Sequence, residues 1–249
     1  TQSSFTNFAM SGIDKRYMGL ELGLSVPIAW GLSLQGAVSL GDYIYTSNPE
    51  FTQMIDNSAT DVVHSRVNWK GMKVESTPQT AINVGLNFRG PNNWFASVDF
   101  NYYDRLYLSM NPMYRTEYLA NEIKRIYDWN NLETGRQKAY VVGIIDEIRQ
   151  QEDLGNAYTL SASIGKNFRI KYKYTLGFSL QVNNILNNQR IRTGGYEQMR
   201  LNKLSDPIIF PNADGEMKII KKPTTYSRFD SKYFYMNGIN YYLNIYFRF

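Results

Sequence analysis

The chain has 249 residues and a net charge of +5, with 43% hydrophobic and 20% charged residues and a mean hydropathy of −0.42. No stretch approaches the roughly 20 consecutive apolar residues of a membrane-spanning helix, which excludes a helical membrane bundle. The absence of cysteine excludes disulfides, thiolate metal sites and cysteine catalysis. The cations are scattered without the concentrated patch that nucleic-acid binding needs; they read as solvated loops, with some Lys and Arg available to lipid phosphates. The length fits one large domain or two small ones. Aromatic content is 15%, with 20 Tyr, a residue that favours membrane–water boundaries, although soluble β-sandwiches and carbohydrate-binding domains are also Tyr-rich. No signal peptide opens at Thr1. The start Thr1-Gln2-Ser3-Ser4 reads as mid-loop, so the natural N-terminus is expected upstream.

In chain order, the strongest pattern is a period of two, which places alternate residues on opposite faces of a strand. Met18, Leu20, Leu22, Leu24 and Val26 alternate with Gly19, Glu21, Gly23 and Ser25. Leu32, Leu34, Val38 and Leu40 alternate with Ser33, Gln35, Ala37 and Ser39, and Ile82, Val84, Leu86 and Phe88 with Asn83, Gly85, Asn87 and Arg89. Trp94, Ala96, Val98, Phe100 and Tyr102 alternate with Phe95, Ser97, Asp99, Asn101 and Tyr103. Tyr158 to Gly165 and Leu176 to Asn183 repeat the pattern. The last segment sets Ile239, Tyr241, Leu243, Ile245, Phe247 and Phe249 against Gly238, Asn240, Tyr242, Asn244, Tyr246 and Arg248.

These segments predict about seven strands, each near the 9–11 residues that cross a bilayer at a tilt. A soluble sandwich also alternates. Here, however, Ser, Gly, Asn and Thr fill one face and charges gather at strand ends. The connections also alternate in length. Pro27 to Gly31, Gly90 to Asn93 and Arg169 to Lys173 are short, whereas Ser47 to Pro78, Asn111 to Asn156 and Asn187 to Asn237 are long. Short periplasmic turns and long extracellular loops are the outer-membrane pattern. The expected fold is therefore all-β, a transmembrane antiparallel β-barrel. Its last strand would run down to the periplasm, with Thr1 to Asp14 outside. Seven strands cannot close an even-numbered barrel, so others are expected from absent sequence or other chains. Within the second long loop, Tyr118 to Asn130 and Tyr140 to Gln151 carry helical apolar spacing. Such helices could cover a barrel mouth or merely fold the loop on itself.

Several segments then resemble a known family. They are Ser76-Thr77-Pro78-Gln79, Asn101-Tyr102-Tyr103-Asp104-Arg105, Asn111-Pro112, Arg115-Thr116, Asn183-Asn184-Ile185-Leu186-Asn187-Asn188, Thr193-Gly194-Gly195-Tyr196-Glu197-Gln198 and the terminal Phe249. In this order they resemble the C-terminal barrel of TonB-dependent outer-membrane receptors, of the Bacteroidetes type related to starch-utilisation (SusC-like) receptors. The resemblance covers nearly the whole chain. It implies that residues 1–249 are the C-terminal part of a barrel of about 22 strands. A plug, further N-terminal domains and a TonB-engaging box would lie outside this chain. It also implies active nutrient uptake (glycan, peptide or chelate) driven through TonB, with a surface lipoprotein of SusD type as a possible partner.

Little points to bond chemistry, and no enzyme activity, cofactor or metal is expected. His64 is the only histidine, too few for a triad or zinc cluster. Glu21 and Asp99 fall on the polar phase of different strands. Asp206, Asn212 and Asp214 are too loosely spaced for a calcium loop. Gly194-Gly195 reads as a turn. The run Tyr233, Phe234, Tyr235, Tyr241 and Tyr242 could stack on sugars, but reads better as an interfacial girdle. Asn183 to Asn188 should bond local backbone where a strand ends.

Lumen or ligand candidates are Asp99, Asn101, Tyr103, Arg105, Gln181 and Asn183, all on the polar phase. Tyr241, Leu243, Ile245, Phe247 and Phe249 are the expected signal for the barrel-assembly machinery, as the resemblance implies. An alternative is a non-transporting structural or assembly component of an outer-membrane complex. A passive porin is a third reading.

Overall fold

The computed structural model describes residues 6–55, 62–171, 173–199, 201–204, 208–211, 217–221 and 225–249. Asp206, Asn212 and Asp214 lie outside them. Seven strands form one antiparallel sheet: β1 (Lys15–Pro27), β2 (Leu32–Tyr45), β3 (Thr80–Arg89), β4 (Trp94–Asp104), β5 (Ala157–Ile170), β6 (Tyr174–Asn183) and β7 (Asn240–Arg248). Each pairs with its neighbours in chain order. The sheet is open, with one edge of β1 and one of β7 unpaired among the described residues. Among the described residues strands account for 54% and there are two short α-helices, so the fold is all-β and antiparallel.

The register carries the alternation across the whole sheet. Val26, Leu34, Leu86, Val98, Ala162, Val182 and Tyr241 stand opposite one another in a single row through all seven strands. The adjacent row on the other face runs Pro27, Ser33, Asn87, Ser97, Ser163, Gln181 and Tyr242. One face is therefore apolar and the other small and polar, as the side-chain period demands.

Among the described residues nothing packs against the apolar face. Leu22 is 61% exposed and Leu243 is 62% exposed, and Leu24, Val84, Val98, Ile164 and Ile245 are likewise open. The buried apolar side chains lie at one end of the sheet. One cluster joins Tyr45, Phe51, Val67, Trp69, Val74 and Met110; a second joins Tyr114, Leu119, Ala120, Ile123, Tyr127, Val141, Ile145 and Ile148.

That end is built from the three long connections. The first contributes the segments Glu50–Ile55 and Val62–Arg66, which pair with each other, and the former also pairs with Thr6–Ser11. The second contains α1 (Glu117–Ile126) and α2 (Gly135–Arg149). The Thr116 hydroxyl caps α1, and Thr134 with Gln137 forms a reciprocal capping box on α2. Their apolar stripes meet in the second cluster, so the helices expected from periodicity do form, and they fold this loop on itself. The third is a long ribbon in which Arg192–Tyr196 pairs with Lys232–Tyr235, Leu201–Leu204 with Thr225–Arg228, and Ile208–Pro211 with Met217–Lys221. Gly194-Gly195 is not the turn expected from sequence. It lies inside a paired strand at a register shift, where a Cβ on Gly195 would collide with the Lys232 carbonyl. The bulge lets the two backbones approach closely.

The opposite end has only short turns. At the first, Ile28 N–H donates to Leu32 O at 2.9 Å and Leu32 N–H to Ala29 O at 2.8 Å. Trp30 and Gly31 take positive φ, 51° and 80°. Arg89 N–H bonds Gly31 O at 2.8 Å, and a Cβ on Gly31 would run into the Arg89 carbonyl. Gly31→Ala should therefore lower stability by about 1–3 kcal/mol. Gly23→Ala, with no atom within 4 Å of the new carbon, should leave it within about 0.5 kcal/mol. Urea-unfolding midpoints compare the two; equal midpoints would show that the turn does not constrain Gly31.

Candidate functional site

The polar face of the sheet is held by side-chain ladders. Asn83 Nδ2 donates to Asn101 Oδ1 at 2.9 Å, and Asn101 Nδ2 reaches Thr159 Oγ1 at 3.5 Å. Ser97 and Ser163 hydroxyls are 2.9 Å apart. Gln181 Nε2 donates to Asn183 Oδ1 at 2.8 Å, and Asn183 Nδ2 to Asn240 Oδ1 at 2.9 Å. The Tyr246 hydroxyl bonds Asn167 at 2.8 Å. Asp99 fits because its neighbour on β3 is glycine: a Cβ on Gly85 would lie 2.6 Å from Asp99 Oδ1. Towards the turn end, this face frames an open concavity of about 930 Å³ whose lining includes Ser33, Gln35, Asn87, Phe95, Ser97 and Ser163.

The six candidates share this face only in part. Asp99, Asn101 and Tyr103 follow one another along β4. Gln181 and Asn183 form their own chain two strands away. Arg105 is turned out of the set. Its φ of 55° breaks the alternation, and its guanidinium is held by Thr80 Oγ1 at 2.8 Å and Gln79 O at 2.9 Å. It straps the ends of β3 and β4 together. Glu21 accepts from Ser39 at 3.4 Å and sits three strands from Asp99 and level with Tyr103 in register, about 19 Å away at normal strand spacing and rise, so they do not form an acid–base pair. His64 is exposed on a short strand with Nδ1 3.0 Å from Thr52 Oγ1. Tyr241, Leu243, Ile245 and Phe247 stand on the apolar phase of β7 opposite Val182, Leu180, Phe178 and Leu176, and Phe249 follows, 89% exposed. The Tyr233 to Tyr242 run divides: Tyr241 joins the apolar face, Tyr242 the polar one, and Tyr233 turns into the loop layer.

That loop layer contains the residues that sequence reasoning assigned no role. Arg115 and Glu197, 82 positions apart, form a two-pronged ion pair with contacts of 2.5 and 2.8 Å, at 0% and 1% side-chain exposure. Arg115 also donates to Asn111 O at 3.1 Å and Gln150 O at 3.0 Å. Glu197 further accepts from the Asn111 N–H at 2.7 Å, and Arg228 lies 3.6 Å away. Glu152 gathers the Ser231 hydroxyl at 2.8 Å, the Tyr233 hydroxyl at 2.5 Å and Arg192 at 3.5 Å. Burial, reinforced by the Glu152 carboxylate, raises the Tyr233 phenol above its ordinary pKa. Both Arg115 and Glu197 stand in segments that carried the family resemblance, but no spacing rule links residues so far apart. Asn184, by contrast, behaves as expected. Its amide bonds Asn237 O at 2.9 Å and Asn188 O at 3.2 Å, closing the end of β6.

No protein-family model, no curated protein and no solved structure matches this chain.

The Arg115–Glu197 pair predicts a strong asymmetry. Glu197→Leu leaves a buried guanidinium without its carboxylate and should destabilise the loop layer by about 3–5 kcal/mol. Adding Arg115→Met should recover most of that loss, because an apolar pair needs no charge compensation. Limited proteolysis of the 105–156 and 184–239 segments reads this directly. Equal cleavage of wild type and Glu197→Leu would show that the pair does not tie the loops.

Proposed function

We propose that this sheet is a section of an outer-membrane barrel wall, and that the chain is the C-terminal part of a TonB-dependent transport receptor of the SusC-like type, acting in active uptake of a nutrient such as a glycan, peptide or chelate. The observation that carries this reading is the bare apolar face, which spans seven strands while the buried core sits beyond one end of the sheet. A water-soluble protein rarely exposes an apolar patch above a few hundred Å², and a β-sandwich would cover such a face with a second sheet. Lipid is the solvent that suits it. From Leu32 to Leu40 the face rises about 27 Å along β2, or about 20 Å at a barrel tilt near 40°. Tyr174 stacks on Phe247 at 5.7 Å, and Trp94 meets Phe178 edge-on at 6.2 Å, near the turn end; such rings mark a membrane interface.

On this reading the polar face lines a wet lumen, the turns are periplasmic, and the interlocked long loops are extracellular. Further strands would add at the open edges of β1 and β7. TonB, a SusD-type lipoprotein and the barrel-assembly machinery are the partners that the resemblance implies.

Val84→Arg, in mid-face, should weaken insertion by about 2–4 kcal/mol, whereas Ser161→Arg on the polar face should be tolerated; outer-membrane yield and heat-modifiable migration measure both. Equal yields would defeat the membrane reading. Transport is tested separately. Cells lacking the protein should lose uptake of one of these nutrient classes, and collapsing the proton gradient should abolish it in wild type. Normal membrane yield with unchanged uptake of all three would favour the structural or assembly component.

A further inference from the structure

The two ends of the sheet carry opposite charge patterns. At the loop end, positive and negative groups are mixed: Asp42 is bonded by Lys73 at 2.7 Å and by Arg16 at 3.2 Å. At the turn end, the stretches 24–34, 86–97, 165–178 and 243–249 contain Arg89, Lys166, Arg169, Lys171, Lys173 and Arg248, and no aspartate or glutamate. A rim of one sign repels itself unless an anion neutralises it.

Lys166 is the informative member. It occupies the apolar phase of β5, directly between Trp94 on β4 and Phe178 on β6. Its ammonium lies 4.7 Å from the Trp94 ring centre and 4.9 Å from that of Phe168. Phe168 stacks on Phe178 at 6.0 Å, so three rings and one cation form a single cluster. No carboxylate among the described residues pairs with Lys166. Lys173 repeats the arrangement, 5.3 Å over Tyr174, which stacks on Phe247. Ring faces hold the cations by their quadrupole, and the open side of each ammonium is accessible to an anion. A lysine on a lipid-facing strand is tolerated only near the bilayer boundary, which puts this one at headgroup depth.

We infer that the turn rim is a docking surface for anionic phospholipid headgroups, with Lys166 and Lys173 contacting the phosphates and Trp94, Phe168, Phe178 and Tyr174 covering the adjoining glycerol and upper acyl chain. This rests on the membrane-wall reading proposed above. The partner follows from charge complementarity: the rim offers cations beside rings on an apolar face, and a phospholipid presents a phosphate beside hydrocarbon. An acidic periplasmic protein would match the charge but not the apolar half of the surface.

The test uses the full chain in phosphatidylcholine vesicles carrying spin-labelled phosphatidylglycerol or spin-labelled phosphatidylcholine, with electron paramagnetic resonance reporting the motionally restricted fraction. Wild type should hold phosphatidylglycerol about fivefold more strongly than phosphatidylcholine. Lys166→Gln with Lys173→Gln should bring the ratio near one, and Lys70→Gln with Lys232→Gln, at the loop end, should not change it. A restricted fraction with no preference between the lipids, or a preference that survives the Lys166 and Lys173 changes, overturns the inference and leaves the membrane reading intact. No restricted fraction with either lipid overturns both.

Discussion

Strand register is the constraint on which the rest of the structure depends. Side chains alternate with a period of two, so a one-residue slip in any ladder would carry a full set of leucines and valines to the polar face. The six ladders of the seven-stranded sheet run without a register shift, from Lys15 opposite Tyr45 to Arg248 opposite Thr175. The loop ribbon does contain shifts, beside Gly194 and Ile209. Bulges are thus confined to the region where no continuous face has to be preserved. The turns help keep the sheet in phase. Gly31 accepts the close approach of Arg89, and Asn92 takes a φ of 55°, so the chain reverses between neighbouring strands in a few residues. The polar ladders add a second check, since Asn101 meets Asn83 and Thr159 only in this register.

A sheet with an uncovered apolar face gains little hydrophobic stabilisation in water, because that gain scales with the area removed from it. The conventional core has to be elsewhere, and it lies in the loops. There the Arg115–Glu197 pair joins the second long loop to the third, while Gln151 bonds Lys73 backbone at 2.6 and 2.8 Å to join the second to the first. A buried ion pair is weak evidence for net stability, because desolvation offsets much of the attraction. Its value here is geometric: the fork of Arg115 accepts one arrangement of Glu197, Gln150 and Asn111. Three segments widely separated in sequence are thereby fixed relative to one another above the sheet.

The seven-stranded sheet was legible in sequence and the loop layer much less so, for a physical reason. Alternation is local: Leu20, Leu22 and Leu24 declare a face without reference to any other strand. The segments around all seven strands of the sheet, and the helices containing Ile123 and Ile145, announce themselves in this way. Polar recognition is not local. Nothing near Arg115 indicates that its partner is Glu197, and nothing near Glu152 indicates Ser231 and Tyr233. Arg105 misled because strand parity was extended one residue too far, into a position where φ is positive. Gly194-Gly195 misled because glycine pairs serve bulges as well as turns. Asn184 was readable in part, because its bonds to Asn188 are local, whereas its bond to the Asn237 carbonyl spans 53 positions and was not.

The same physics separates the two ends of the molecule. At the loop end, charges such as Asp42, Lys73, Glu152 and Arg192 satisfy one another within the chain, so that end can be organised by protein contacts alone. At the turn end, connections of a few residues have no room for a polar layer; Lys166 and Lys173 lie over ring faces, and the stretches there hold no aspartate or glutamate. Self-sufficiency at one end and incompleteness at the other are difficult to reconcile with one surrounding medium. On the membrane reading proposed above, the loop end meets water while the apolar face and turn rim meet a phase that supplies both hydrocarbon and anions. The apolar row from Val26 to Tyr241 needs the first of these and Lys166 the second. A bilayer boundary offers both within the span of a single side chain.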